Sequence, residues 1–421
     1  MTDECAANED AATDGKQRRE QHQVRAGLGP QLGEARADEA ALAVGLINAA
    51  TLSPEQIDAA QKRARNWITH IRGQKKSLPG IAELLSHFGL DSREGVALMC
   101  LAEALLRIPD SDTADALIRD KFSGANFEAK LGAATPWFLR AAGWTLNLTG
   151  QMAGADDPHL GSARGMLGLL GAKLSHGPIR EAIRQGMRWL GDQFVLGTDI
   201  DAAIARAEKL GNTNARFSYD MLGEAARTAD DAQRYTQDYL SAIRKTGAAN
   251  RANPANAPSG VSIKLSALHP RYEATQARRV YSEMVPRLIG LVETAAAENI
   301  FLIIDAEEAD RLLLSLGVIE KVLLNAKLGD WRGFGLAVQA YSKRAPAVID
   351  SIAWLAEKHR RPLTVRLIKG AYWDTEIKRA QERGWVDFPV FTRKIATDAS
   401  YLACARKLLA QQRWLSPVFG S

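Results

Sequence analysis

From about Arg216 to the C-terminus, short apolar runs alternate with longer stretches of helical periodicity, and this alternation constrains the fold more than any other feature. The runs are RFSYDM (216–221), GVSIKLSAL (260–268), IFLIIDAEE (300–308), GFGLAVQAY (333–341), LTVRLIKGAYW (363–373), a weaker VFTRKIATD (390–398) and WLSPVFG (414–420). Helical patterns lie between them, for example over 274–298, 344–359 and 400–411. Strand followed by helix at this repeat implies parallel strands joined by right-handed crossovers. The runs are apolar rather than cleanly alternating, as expected of a sheet covered by helices. About seven such strands predict an α/β barrel of the (β/α)8 kind rather than an open sheet.

Polar residues sit near the C-terminal ends of four successive runs: Lys264, Asp305, Gln339 and Arg366. In a (β/α)8 barrel that end is the catalytic mouth. Lys264 lies inside an apolar run, so it must pair, face a polar mouth or bear a desolvation cost. Arg366 cannot lose its proton, and Gln339 can donate and accept at once. Two cations, a carboxylate and an amide suit an anionic carboxylate substrate and a polar heteroaromatic ring. From the residues alone a second reading stays open: a structural polar layer that caps strand ends. No serine sits in a nucleophile elbow, and the seven histidines show no metal-ligand spacing.

Upstream the texture is helical. Residues 39–210 carry apolar positions at helical spacing without strand-like runs, which predicts an arm over 39–150 and a linker over 151–210. Ser53, Pro54 and Glu55 form a helix start, with an N-cap and then proline at the first helical position. Residues 1–38 are polar and aperiodic and are expected to be disordered. The glycines at 27–33 are wrongly spaced for a dinucleotide fingerprint, and those at 161–168 have no strand leading in, so helix packing is favoured over phosphate binding there. The net charge of +5 is spread among interleaved charges, and no nucleic-acid partner is expected. Cys5, Cys100 and Cys404 are odd in number and far apart, which fits a reducing compartment, and Cys100 and Cys404 are read as small buried side chains. No secretory signal and no membrane span is read, so the expected location is the cytoplasm, with peripheral contact on the inner face of the membrane left open.

The runs SIKLSALHPRY, FLIIDAEEADRL, GFGLAVQAYSKRA, VRLIKGAYWDTEIKRAQ and FTRKIATDASYLACARKLL closely resemble the proline dehydrogenase barrel of the bifunctional proline utilization A (PutA) proteins. VRLIKGAYWDTEIK is the most specific, and the resemblance extends upstream to roughly residue 40. It implies a flavoprotein that oxidises L-proline to Δ1-pyrroline-5-carboxylate, with hydride passing from proline C5 to the N5 atom of FAD and electrons then going to a membrane quinone. Position by position, it implies Arg366 near flavin N5, Gln339 on the isoalloxazine edge, Lys264 at the proline carboxylate and Asp305 orienting the basic residues. It further implies Ile368, Lys369, Gly370, Ala371 and Trp373 beside the flavin, with Tyr372 in the substrate pocket. Thr392, Arg393 and Lys394 would lie near the FAD phosphates and adenosine, although a solvated face remains an equal reading of Arg393 and Lys394. Glu224 would be half of a gating ion pair whose arginine lies in the eighth helix. The arm implies a homo-oligomer.

The chain departs from that family in two ways. The polar head shows no ribbon–helix–helix unit, so transcriptional repression is not expected. The sequence stops at Ser421, where the family's seventh strand lies, so the expectation is a barrel incomplete over 211–421, without the eighth helix or the aldehyde dehydrogenase half. The eighth helix carries two substrate-gripping arginines, each charge-assisted bond being worth about 1.5–3 kcal/mol; weak or no turnover by this polypeptide alone is therefore expected. Two alternatives stand beside this: a barrel aldolase using Lys264 or Lys369 as a Schiff-base lysine, and a non-enzymatic helical dimerisation fragment.

Overall fold

The computed structural model describes residues 32–73, 113, 195–210, 214–221 and 225–420. The chain divides into two compact units, one comprising Met1–Ile57 with Asp199–Ser421 and the other Asp58–Thr198. Within the described residues, helix α1 spans Glu39–Ala50 and α2 spans Pro54–Gly73. Asp38 caps α1 by accepting the Ala41 N–H at 2.7 Å. The helix start read at Ser53 is present as a reciprocal cap: Ser53 Oγ accepts the Gln56 N–H, and Gln56 Oε1 accepts the Ser53 N–H.

In the first unit the order then runs α3 (Ile200–Lys209), β1 (Ser218–Asp220), α4 (Ala229–Ala252), β2 (Gly260–Ile263), α5 (Val285–Ala297), β3 (Phe301–Ile304), α6 (Leu312–Asn325), β4 (Phe334–Gln339), α7 (Ala345–Lys358), β5 (Leu363–Ile368), α8 (Trp373–Glu382), α9 (Lys394–Ala410) and β6 (Leu415–Phe419). The six strands form one parallel sheet in sequence order. Its register couples Asp220 to Ser262, Ser262 to Ile303, Ile303 to Gly335 and Ala337 to Arg366. Helix α4 starts on a capping box between Thr228 and Asp231.

The period of two along each strand sorts the side chains. Val261 and Ile263, Leu302 and Ile304, Phe334, Leu336 and Val338, and Leu363, Val365 and Leu367 all join one buried cluster with residues of α5, α6 and α7. Fully burying such a side chain is worth about 1.5–3 kcal/mol, so this outer face anchors the strands. In β5 the alternate residues Thr364, Arg366 and Ile368 are only half buried. They face the opposite side, together with Ser218, Asp220, Ser262 and Gln339.

The weak run at 390–398 is not a strand. Val390 makes one isolated antiparallel bridge to Ser342, and the chain then enters α9 at Lys394. Val390, Phe391 and Thr392 supplied a β-like start, but the buried positions that follow, Thr397, Ser400, Ala403, Cys404 and Leu408, recur at helical spacing. The described residues therefore hold six strands rather than about seven. Several runs also end early as strand: β2 stops before Lys264, and Leu265–Ala267 is a 3-10 turn.

Candidate active site

Arg366 shows how strongly the sheet curls. From β5, its Nη2 donates to Ser218 Oγ on β1 at 2.7 Å and to Ser262 Oγ on β2 at 2.9 Å, while Nη1 donates to Asp305 Oδ1 at 3.2 Å. In a flat sheet β1 and β5 would lie four strand spacings apart, about 19 Å. The strands must wrap around their inner face for one guanidinium to reach across. Lys264 completes the cluster: its Nζ donates to both Asp220 oxygens at 2.7 and 2.9 Å and to Asp305 Oδ2 at 3.2 Å. Asp305 is thus held between Lys264 and Arg366.

The charges tune one another. Burial alone would lower the Lys264 pKa, but the Asp220 and Asp305 carboxylates outweigh it and hold the ammonium above the ordinary lysine value. Burial, reinforced by the like charge of Asp220, raises Asp305, although Lys264 and Arg366 oppose the shift. The barrel aldolase reading requires a lysine desolvated to a low pKa, so Lys264 is the wrong kind of lysine for it.

Gln339 closes β4 beside this cluster with both ends of its amide engaged. Nε2 donates to the Glu307 carbonyl at 2.8 Å, and Oε1 accepts the Ala371 N–H at 3.1 Å. It therefore ties the loop after β3 to the loop after β5. A cavity of about 50 Å³ lies behind it, with Tyr272, Asp305, Glu307 and Tyr341 in its wall. Ligand pockets usually enclose about 300 Å³ or more, so a ring system would have to lie on the open inner face, where Arg366 is 22% exposed. In the loop after β5, Gly370 has φ +138°, and a Cβ there would sit 2.5 Å from the Tyr341 ring. Only glycine allows the chain to pass at that point.

The other sequence-predicted residues lie at the end of β5, in the segment after it and at the start of α9. Ile368 is half buried on the inner face, Ala371 is exposed, and Lys369 pairs with Asp398 at 2.9 Å. Tyr372 is half buried at the start of α8; Trp373 is 40% exposed, and its Nε1 donates to the Phe391 carbonyl at 2.9 Å. At the start of α9, Arg393 is exposed and Lys394 pairs with Asp398 at 2.7 Å. The Thr392 N–H and hydroxyl both donate to Glu39 Oε2 on α1, each at 2.9 Å. Glu224, Cys5, Cys100 and the glycines at 161–168 lie outside the described residues. Cys404 is buried, as its reading as a small buried side chain expected, and burial pushes its thiol up to about 12.

Lys264, Asp305 and Arg366 are therefore brought into one bonded cluster, with Gln339 and the 368–373 segment on its rim. Sequence reasoning missed Asp220, Ser218 and Ser262. Asp220 was findable, because it follows the apolar part of its run as Asp305 does, and Ser262 shares a face with Lys264 two residues on. Glu39 carried no signal.

A family model described as "Proline dehydrogenase" matches residues 203–421, more than half of the chain. A second, described as "DNA-binding domain of Proline dehydrogenase", matches residues 80–194. The second description names DNA, which the sequence reading did not expect, and of those residues the structure describes only Thr113. The Bifunctional protein PutA of Salmonella typhimurium is 47% identical over 379 residues, covering 89% of this chain and 29% of that protein. The PutA of Rhizobium meliloti is 48% identical over 357 residues, covering 85% and 28%. The chain thus spans under a third of the length of these relatives. A crystal structure of a Bradyrhizobium japonicum Proline Utilization A mutant aligns with TM-score 0.66 at 45% identity, over 93% of this chain and 39% of that one. The shared sequence, the parallel curled sheet and the cluster at its strand ends place this chain in the proline dehydrogenase family.

Proposed function

We propose that the inner face binds FAD and L-proline, and that this chain carries the site at which L-proline is oxidised to Δ1-pyrroline-5-carboxylate. The observation that supports the reading best is the four-strand cluster of Asp220, Lys264, Asp305 and Arg366 at the strand ends. The residues present suit the cofactor in two respects. Thr392 already directs two donors at one anionic oxygen, as a phosphate requires, and a permanently charged guanidinium stands on an open face in the strand that leads to exposed Gly370 and Ala371. Bound FAD would supply the hydride acceptor, which no side chain can.

The protein's own part is orientation and charge. Arg366, fixed by Ser218, Ser262 and Asp305, presents positive charge where a reduced ring gathers electrons. Lys264, kept protonated, meets the substrate carboxylate, and Asp305 holds both cations at a set separation. Gln339 and the segment from Ile368 to Trp373 would hold the ring, and Tyr372 would belong to the substrate pocket. Arg393 and Lys394, which follow Thr392 in sequence, would belong to the phosphate end. Both cations of the cluster are already paired with aspartates, so an incoming carboxylate gains less than it would from a free cation, and weak proline affinity is expected. A membrane quinone as the electron acceptor, a homo-oligomer formed through the helical arm and a cytoplasmic location with peripheral membrane contact complete the proposal. Among the described residues no helix is long and apolar enough to cross a membrane.

The test is anaerobic addition of L-proline to the FAD-loaded chain. Loss of oxidised-flavin absorbance that depends on proline, and is diminished in Arg366→Met, supports the reading. Failure of the chain to retain flavin, or equal reduction in the variant, overturns it.

A further inference from the structure

Helix α1 reaches the mouth with its first residue. Glu39 Oε2 accepts the Thr392 N–H and the Thr392 hydroxyl, both at 2.9 Å. Two donors converging on one carboxylate oxygen is also the arrangement that holds a phosphate oxygen. Exposed Arg393 and Lys394 follow immediately in sequence.

The carboxylate is held there by a fastened strap rather than by Thr392 alone. Leu32 is buried in the main core, and Arg36 lies over the Trp385 ring at 4.4 Å. The buried ammonium of Lys343 donates to the Ala37 carbonyl at 2.8 Å and pairs with Asp387 at 2.8 Å. Leu46 packs with Phe391 and Ala403, and Arg406 donates to the Thr51 carbonyl. Contacts on both sides of Glu39 thus fix α1 against the loop before α9 and against α9 itself, independently of the carboxylate.

We propose that Glu39 is a built-in competitor for the phosphate end of the flavin cofactor. It occupies the Thr392 donors and must withdraw, or share them against like-charge repulsion, when a flavin nucleotide binds. The role rests on the flavin reading above and adds to it an affinity-setting residue contributed by the strap. It predicts discrimination among flavins by their phosphates: Glu39 weakens FAD, which carries a pyrophosphate, and leaves riboflavin, which carries none, unaffected.

The experiment is a fluorescence titration of the full chain with FAD and with riboflavin, comparing wild type, Glu39→Gln and Glu39→Lys. Glu39→Gln is expected to bind FAD about two- to fivefold more tightly, the scale of a partly exposed charge interaction. Glu39→Lys is expected to gain more, and both gains are expected to shrink in about 1 M salt, where screening acts over roughly 3 Å. Riboflavin affinity is expected to be unchanged. Unchanged or weaker FAD binding in both variants overturns the competitor role while leaving the flavin reading standing. An equal gain for riboflavin also overturns it, because the strap would then be gating the whole pocket. If no variant binds either flavin, the flavin reading of the site fails and the competitor role falls with it.

Discussion

The two faces of the same strands follow opposite rules. On the outer face Val261, Ile263, Leu302, Phe334, Val365 and Leu367 are each no more than 1% exposed and pack under the helices. On the inner face, one residue along in each strand, stand Ser218, Asp220, Ser262 and Arg366, with Lys264 and Asp305 just beyond the strand ends, joined by hydrogen bonds and ion pairs. A shift of one position exchanges a residue that holds the fold for one that can hold a ligand. The lesson is a division of labour: apolar burial fixes the strands so firmly that the inner face can gather like-charged aspartates without unfolding the sheet.

The most disruptive way to break that division is to cut the outer face. Phe334→Ala removes a fully buried ring and is expected to cost about 3–5 kcal/mol in urea unfolding, with no specific change in which flavin the surviving folded fraction prefers. A cost below about 1 kcal/mol would mean that the outer face is not the anchor.

Lys264→Met tests the inner face through pH. The folded lysine pKa is raised, so its stabilising contribution is complete below the unfolded value of about 10.4 and is lost as pH rises through the higher folded value. Wild type should therefore lose urea resistance on that alkaline limb, and the variant should lack the lysine's share of it. The variant should also leave Asp220 without its ammonium partner and Asp305 with Arg366 alone of its two cations, raising Asp305 further. Identical alkaline limbs would contradict the assignment of charge to Lys264.

Smaller changes sharpen the contrast away from both faces. Thr228→Ala removes the cap of α4 and is expected to cost about 1 kcal/mol in the same unfolding experiment, with flavin affinity untouched. Glu283 is held down to about 2 by Arg279 first and His269 second. Its contribution is present above the unfolded value of about 4.3 and fades as pH falls toward 2. Glu283→Gln should flatten that acid limb slightly in a pH series of melting curves, and an unaltered limb would refute the pairing.

The outer face was legible in the sequence because burial writes itself as apolar runs, and the mouth was legible because charged residues interrupt such runs at Lys264, Asp305 and Arg366. Residues 390–398 misled because a short β-branched and aromatic start precedes a helix whose buried positions are small and polar. Asp220 escaped notice because the three-residue β1 is too short to show a period. The contact between Glu39 and Thr392 joins residues 353 positions apart, and no local pattern encodes such a meeting. The same holds for the guanidinium of Arg366 reaching β1: the curl that permits it is a property of the whole sheet.

The central claim is that the inner face is a flavin site whose residues can be changed without unmaking the fold. Fluorescence titration of FAD against wild type and Arg366→Leu, with urea midpoints measured on the same samples, tests it directly. The account predicts that flavin affinity falls by about tenfold or more, equivalent to roughly 1.4 kcal/mol, while the midpoints stay close together. Equal flavin affinity in the two proteins, or a loss of flavin explained wholly by unfolding, would contradict it.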